Sequence, residues 1–479
     1  MSGYIEGVDR EQITLFPDRL EDWIGEDHPV RVVDAFVDAL DLSGYDFVRA
    51  APAKTGRPGY HPSVLLKLFI YGYLNRVASS RRLEREAGRN IEVMWLTGRL
   101  APDHKTIADF RRDNSTAIRK TCARFIELCR RMGVLNRASV AIDGSKFKAV
   151  NNRDRNFTAS KIKIRISHLE DSAARYLEEM ARTDRREQSE VQITKIERLK
   201  EKLDRVRQEV QRLEKIAGEL KDMPGSQLSQ TDPDARSMAT RGKGTGLVGY
   251  NVQTAVDTQV HMIVAHEVIN IGNDRAQLSP MAKAAKIALK VDKLEAIADR
   301  GYFSGDELLA CHENGITAIV PRPDTSGNRK KGMFVKADFI YDAVSDTYKC
   351  PAGETLTYRY TREERGQMQQ RYWQTKCQYC ALKTQCTTAK ERRITRWEHE
   401  HLIEEMYARM DEKPDLMRTR RCTVEHPFGT IKAWMGTTHF LTRRLPNVRA
   451  EMALNVLAYN IKRMINMIGV RLLIQGITA

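Results

Sequence analysis

Two aspartates stand where short apolar runs stop. Asp143 follows Ala138–Ile142, Asp299 follows Leu294–Ala298, and a glycine-containing turn comes after each (Gly144, Gly301). An aspartate at a strand end is often only a turn residue. Two of them at one sheet edge can also hold a hard divalent cation such as Mg²⁺, which takes oxygen ligands and keeps waters. A third carboxylate, Glu425, lies in RCTVEHPFGTIK (Arg421–Lys432). On a helix, Arg421 four residues before it and Lys432 seven after it share its face. Such a face is either a surface ion-pair ladder or a metal ligand beside phosphate-binding cations.

A second group of side chains suits a softer metal. Cys377-x-x-Cys380 has the spacing of a metal knuckle, and Cys350 and Cys386 can complete a tetrahedral Zn²⁺ site of structural rather than catalytic kind. Four unligated thiols in a small β insertion are the alternative. Cys122, Cys129, Cys311 and Cys422 read as isolated core residues. Eight cysteines in 479 residues do not make a disulfide framework. Two weaker matches fail on order: Arg241–Gly246 is not a phosphate loop, and Glu398–His401 is not a zinc-protease helix.

These side chains need a frame. The chain has 79 Lys and Arg against 63 Asp and Glu, a net charge of +16, with 41% hydrophobic residues. That composition supports a sizeable core and excludes wholesale disorder. The basic balance favours a polyanionic partner over an acidic or small neutral one. No run approaches the roughly 20 apolar residues that span a bilayer. The opening MSGYIEGVDREQ lacks a basic n-region and an apolar h-region, so the chain reads as cytoplasmic, with no membrane partner.

Residues 1–50 carry four basic and twelve acidic side chains, whereas 51–131 carry seventeen basic and seven acidic. Pro62 at a helix start, the spacing of Val64, Leu65, Leu68, Phe69 and Tyr73, and Asp103 as a cap predict helices there. Arg81, Arg82 and Arg85 follow on the next helical stretch. Their basic face is either solvated or a DNA contact, with a helix-turn-helix the weaker assignment. Apolar β runs at Ala138–Ile142, Val248–Val256, Met262–Ile269, Leu294–Ala298 and Thr317–Val320 alternate with helices around Leu278–Leu289 and Asp306–Asn314. They predict an α/β sheet interrupted by two insertions.

The first insertion carries a heptad seam: Ile196, Leu199, Leu203, Val206, Val210, Leu213, Ala217 and Leu220. An earlier seam (Ile162, Ile166, Leu169, Ala173, Tyr176, Met180) falls out of phase across Thr183–Glu190. Two antiparallel helices are favoured there; one unbroken helix and pairing between chains are the alternatives. The division is then 1–136, a helical N-terminal domain; 137–159, the first part of the sheet core; 160–228, a coiled-coil helical insertion; 229–329, the second part of the core; 330–400, a cysteine-cluster insertion; and 401–479, C-terminal helices completing the core.

The ordered series resembles the DDE transposases of bacterial insertion sequences. It runs IDGSKFKAVN (Ile142–Asn151), TDPDAR (Thr231–Arg236), GYNVQTAVD (Gly249–Asp257), ADRGYFSGDEL (Ala298–Leu308) and RCTVEHPFGTIK (Arg421–Lys432). The resemblance covers most of the chain. It implies an RNase H-like mixed α/β core with an all-α N-terminal domain, a helical coiled-coil insertion and a small β-rich cysteine-containing insertion. Asp143, Asp299 and Glu425 match the family's catalytic triad. Arg421, Glu425 and Lys432 also fit a signature of related transposases: Tyr, two residues, Arg, three residues, Glu, six residues, Lys. Arg418 stands at the Tyr position, where it can contact phosphate but supplies no aromatic ring.

The activity so implied is cutting at terminal inverted repeats and joining of the freed 3′-hydroxyls to target DNA. Mg²⁺ or Mn²⁺ would be held by the triad, two ions stabilising attacking and leaving oxygens. Arg421 and Lys432 would clamp phosphate. The implied partners are double-stranded DNA, as element ends and as target, and a second copy of the chain on paired ends. The implied location is cytoplasmic and nucleoid-associated. Two rivals share the residues: a metal-dependent nuclease that never joins, and a catalytically retired DNA-binding regulator, against which the intact triad argues.

Overall fold

A computed structural model describes residues 19–51, 58–152, 155–185, 190–221, 227–239, 246–321 and 327–479. The N-terminal stretch read above for a leader and most of the rejected Arg241–Gly246 match lie outside the described residues. No described helix is long and apolar enough to cross a membrane.

The chain opens with α1 (Pro29–Asp38), α2 (Pro62–Leu74), α3 (Ser80–Ala87), α4 (Ile91–Thr97), α5 (His104–Asp113) and α6 (Ser115–Arg131). Pro62 takes the first position of α2, where its missing N–H is harmless. Asp103 caps α5, accepting from the Lys105 and Thr106 amides at 2.9 Å each. α2 is buried on nearly every side, from Leu65 through Tyr73, because helices from the far end of the chain cover it.

β1 (Ser139–Lys148) enters the main sheet. β2 (Asn156–Thr158) and β3 (Gln227–Ser229) pair antiparallel at the base of an arm made by α7 (Ala159–Asp184) and α8 (Glu190–Lys221). Lys195–Glu179 (2.8 Å) and Arg165–Glu209 (3.4 Å) have equal residue sums, so the two helices run antiparallel. Phe157, Ile162, Leu213, Ile216, Leu220 and Leu228 close a separate small core at the base.

β4 (Arg236–Ala239), β5 (Gly246–Asp257), β6 (Ile263–Ile269), α9 (Leu278–Leu289), β7 (Leu294–Ile297), α10 (Gly305–Glu313) and β8 (Ile316–Ile319) complete the main sheet. Its order is β4-β5-β1-β7-β8, with β6 also on β5. β5 is antiparallel to its neighbours, whereas β1, β7 and β8 are mutually parallel. β1 does not stop at Asp143, as the apolar run predicts; it pairs with β5 all the way to Lys148↔Gly249. Glycine is required there, since a Cβ on Gly249 would collide with the Phe147 carbonyl.

After α11 (Gly327–Lys330), an antiparallel sheet of β9 (Ile340–Asp342), β10 (Thr347–Lys349), β11 (Thr355–Glu364), β12 (Gln367–Trp373) and β13 (Ile394–Trp397) forms around Phe339, Tyr348, Leu356, Tyr372 and Ile394. α12 (Lys383–Cys386) lies before β13. Then come α13 (Glu400–Glu412), α14 (Leu416–Gly429), α15 (Leu445–Ile468) and α16 (Val470–Thr478). α15 packs on α2, α6 and β6, and α16 on α1. One apolar cluster therefore runs from Ile24 to Ile477, through helices and main sheet alike.

Candidate active site

The parallel ladder between β1 and β7 has its last rung at Ala141↔Ile297. Two residues beyond it on each strand stand Asp143 and Asp299, side by side where the parallel strands part. Asp143 is still held by β5 through its rung with Thr254. Asp299 has left the sheet: its Oδ1 accepts from the Gly301 amide at 2.8 Å, capping the short turn Arg300–Tyr302. It is thus a turn residue with one oxygen and free to face Asp143 with the other. Burial pushes the Asp143 carboxyl up to about 6; nearby Arg420 opposes that rise, and Asp299 and Asp274 add to it.

α14 lies against this edge. Thr423, Val424, Pro427 and Phe428 form its buried face, with Phe428 against Phe147 of β1. Arg420 is on the same stripe, one turn before Val424. Its Nη2 donates to Asp143 Oδ1 at 2.6 Å and to the Ile142 carbonyl at 3.4 Å, and lies 3.8 Å from Asp299 Oδ2. The motif residues do not point to this contact, although the sequence holds a signal for it. An arginine four residues before Val424 and eight before Phe428 sits on an apolar stripe, and such a charge needs a buried anionic partner.

The single cationic face expected of Arg421, Glu425 and Lys432 is divided. Pro427 lies inside α14, not in a first turn, and removes a helix hydrogen bond. The next turn, Thr430–Trp434, is π-helical. The wider turn swings Lys432 onto β1, where its Nζ donates to Ser145 Oγ (2.6 Å) and the Lys146 carbonyl (3.2 Å) and lies 4.5 Å from the Phe147 ring centre. Burial pulls the Lys432 ammonium below its usual range, partly offset by Asp143. Arg418, Arg421 and Glu425 are exposed. Among the described residues, no group of three or more His, Cys, Asp or Glu is gathered so as to hold a metal ion. Glu425 therefore does not join Asp143 and Asp299 in one ligand set here.

Behind the two aspartates runs a buried polar chain. The Tyr302 hydroxyl donates to Gln253 Oε1. Gln253 Nε2 and Asn251 Nδ2 each donate to Asp274 Oδ1 at 2.7 Å. The group fills the space that a side chain on Gly144 would need. The Tyr302 link ties the Asp299 turn to β5, and β5 holds Asp143. Two of the sequence motifs thus act as support: GYNVQTAVD supplies Asn251 and Gln253, and ADRGYFSGDEL supplies Tyr302.

TDPDAR is structural. Fully buried Asp232 accepts from the Tyr250 hydroxyl (2.8 Å) and the Arg444 amide (3.0 Å), and Asp234 accepts from the Leu445 amide (2.8 Å). Together they cap α15 from a distant part of the chain. Arg81, Arg82 and Arg85 project into solvent from α3. Cys350, Cys377, Cys380 and Cys386 line one cavity of about 20 Å³. Burial raises the Cys386 thiol, and the other three thiols add to the rise. Cys122, Cys129 and Cys311 are buried as expected, whereas Cys422 is exposed on α14.

Two family models match the chain. One, Transposase domain (DUF772), covers residues 18–113; the other, Transposase DDE domain, covers residues 349–465. Both matched models are transposase domains, and together they support a DDE transposase of the insertion-sequence type. The second match includes the four clustered cysteines and Glu425; Asp143 and Asp299 lie outside both. A solved structure described as the cryo-EM structure of piggyBac transposase synaptic complex with hairpin DNA aligns over 92% of this chain and 75% of that chain, at 9% identity and a TM-score of 0.32. A likeness that weak fixes neither fold nor partner. No curated protein matches the chain.

Proposed function

We propose that this transposase cuts DNA at the terminal inverted repeats of its own element and joins the 3′-hydroxyl ends to target DNA, through Asp143, Asp299 and Glu425. The observation that carries it is the placement of Asp143 and Asp299, level with each other where two parallel strands part, under a helix that bears Glu425 and several cations. Sheets of this kind put their chemistry at that edge. The strand order, with β5 and β6 antiparallel on one side of β1 and β7 and β8 parallel on the other, supports an RNase H-like core.

The donor set fits a hard divalent ion in its chemistry. Three carboxylates offer oxygen only, and the Asp143–Asp299 pair already draws in one cation, Arg420. Asp143, Asp299 and Glu425 would hold Mg²⁺ or Mn²⁺. When bound, such an ion makes a water or hydroxyl a better nucleophile and neutralises charge on the leaving oxygen. The chain's own residues do the rest. Gln253 and Tyr302 fix the Asp299 turn. Lys432, anchored on Ser145 beside Asp143, and Arg421, exposed on α14, would present positive charge to phosphate. Arg418 extends that surface, and Arg81, Arg82 and Arg85 on α3 are proposed to contact the element's end.

A structural Zn²⁺ is proposed for Cys350, Cys377, Cys380 and Cys386, whose side chains line one cavity although they are not gathered into a ligand set here. A homodimer on paired ends and a nucleoid location in the cytoplasm complete the reading. The test is a cleavage and joining assay on labelled DNA carrying the element's ends. Joined products are expected; cleavage without joining would identify a nuclease, and binding without either a retired regulator.

A further inference from the structure

Arg420 makes an unusual contact. Its side chain is only 13% exposed, and all its hydrogen bonds and ion pairs with the described residues converge on one nitrogen, Nη2, at Asp143, Asp299 and the Ile142 carbonyl. Its Nε is buried with no hydrogen-bond partner among them. A guanidinium that serves as a permanent brace uses its fork. Arg396 does so, placing Nη1 and Nη2 on the two oxygens of Glu404. Arg420 instead acts on the aspartate pair as a point charge, with one buried donor left unpaired. The buried Nε is shared with Arg130, Arg371 and Arg392, whose Nε atoms are also unpartnered among the described residues; what sets Arg420 apart is that the one nitrogen it uses lies between two carboxylates.

The place Nη2 occupies is also the place a divalent ion would need. It lies within ion-pair distance of one oxygen of each aspartate. A guanidinium and a metal cannot share those oxygens at close range, since both are positive and both want the same lone pairs.

We propose that Arg420 is a resident counter-cation of the catalytic pair, which a divalent ion must displace, and that the displaced guanidinium then joins Arg421 on the phosphate-binding side of α14. The inference rests on the reading of Asp143 and Asp299 as metal ligands. Before metal arrives, Arg420 keeps two adjacent carboxylates from repelling each other apart. Once it leaves, positive charge is added where the DNA backbone must sit. Metal entry and phosphate capture are thereby coupled through one side chain.

The test is Mn²⁺ binding to the full-length protein without DNA, followed by electron paramagnetic resonance of the free ion. Arg420→Gln and Arg420→Met remove the charge, Arg420→Lys keeps it, and Asp143→Asn reports on the site itself. Circular dichroism and thermal melting select the variants that fold. Both charge-free variants are expected to bind Mn²⁺ on the order of tenfold more tightly than wild type, because the competing cation is gone. Arg420→Lys is expected near wild type. Unchanged or weaker binding in the charge-free variants, with binding still lost in Asp143→Asn, overturns the role of Arg420 alone. Binding that survives Asp143→Asn overturns the metal site and the role of Arg420 with it.

Discussion

Asp143 on β1 and Asp299 just past the end of β7 stand at equivalent positions, each two residues past the last rung the parallel strands share, Ala141↔Ile297. The relationship follows from parallel pairing itself. In-register strands that stop pairing at the same level leave their next residues side by side. One residue of slip would turn one aspartate to the opposite face.

The level placement has a stability consequence. The Asp143 carboxyl is about 25% exposed, and burial raises it to about 6, against an unfolded value near 4. The fold therefore binds a proton more tightly than the unfolded chain does. The ionised carboxylate costs nothing below about pH 4, costs progressively more as pH rises to about 6, and costs its full amount above. In EDTA at pH 7.5, Asp143→Asn should be more stable than wild type by on the order of 2 kcal/mol, with the gap closing below pH 4. Urea melts at several pH values read this directly; a variant less stable at pH 7.5 would contradict it.

Gly144 should tolerate no side chain. An added Cβ would collide with Gln253 Nε2, and would lie 2.8 Å from Asp274 Oδ1 and 3.0 Å from Asn251 Oδ1, three groups held in one hydrogen-bonded cluster. Gly144→Ala is expected to lose about 2 kcal/mol of stability. Displacing the neighbouring Asp143 should slow strand cleavage by about 100-fold. Binding to DNA ends, measured by mobility shift, should persist. Cleavage within a few-fold of wild type would show that the cluster does not position Asp143.

Much of this architecture is legible in the sequence. α9 has the bounds that its periodicity gives, and the phase break near Thr183 marks where α7 ends. What periodicity misses is long-range. β1 runs past Asp143 because β5 is there to pair with it, and no local pattern records that partner. Lys432 leaves the Arg421–Glu425 face because Pro427 and a π-helical turn break the regular repeat. The motif spacing points to Arg421 and not to its neighbour Arg420, which only its place on the buried stripe sets apart. Cys422 is exposed because it falls on the opposite side of that stripe.

TDPDAR should matter for folding alone. Asp232→Ala leaves the Tyr250 hydroxyl and the Arg444 amide without their buried acceptor, and should cost about 3 kcal/mol. Asp234→Ala removes only the acceptor of the Leu445 amide and should cost about 1 kcal/mol. Denaturant melts separate the two, and a larger loss in Asp234→Ala would reverse the assignment.

The cysteine cavity should hold one equivalent of zinc. Metal analysis of protein purified without chelator is expected to give about one Zn per chain. Cys377→Ser and Cys380→Ser should each lose it and lower the melting temperature. Substitution with Co²⁺ should give the thiolate-to-metal absorption of a tetrahedral site. A full complement of free thiols with no zinc in wild type would show four ordinary cysteines.

The central claim is that Asp143, Asp299 and Glu425 act as one catalytic set, although Glu425 stands apart from the pair here. It is tested most directly by strand cleavage and joining on labelled element ends with Mg²⁺, wild type beside Asp143→Asn, Asp299→Asn and Glu425→Gln. Each variant is expected to bind the ends as wild type does and to cleave at least about 1000-fold more slowly. Glu425→Gln cleaving and joining at the wild-type rate would remove Glu425 from the set and contradict the claim.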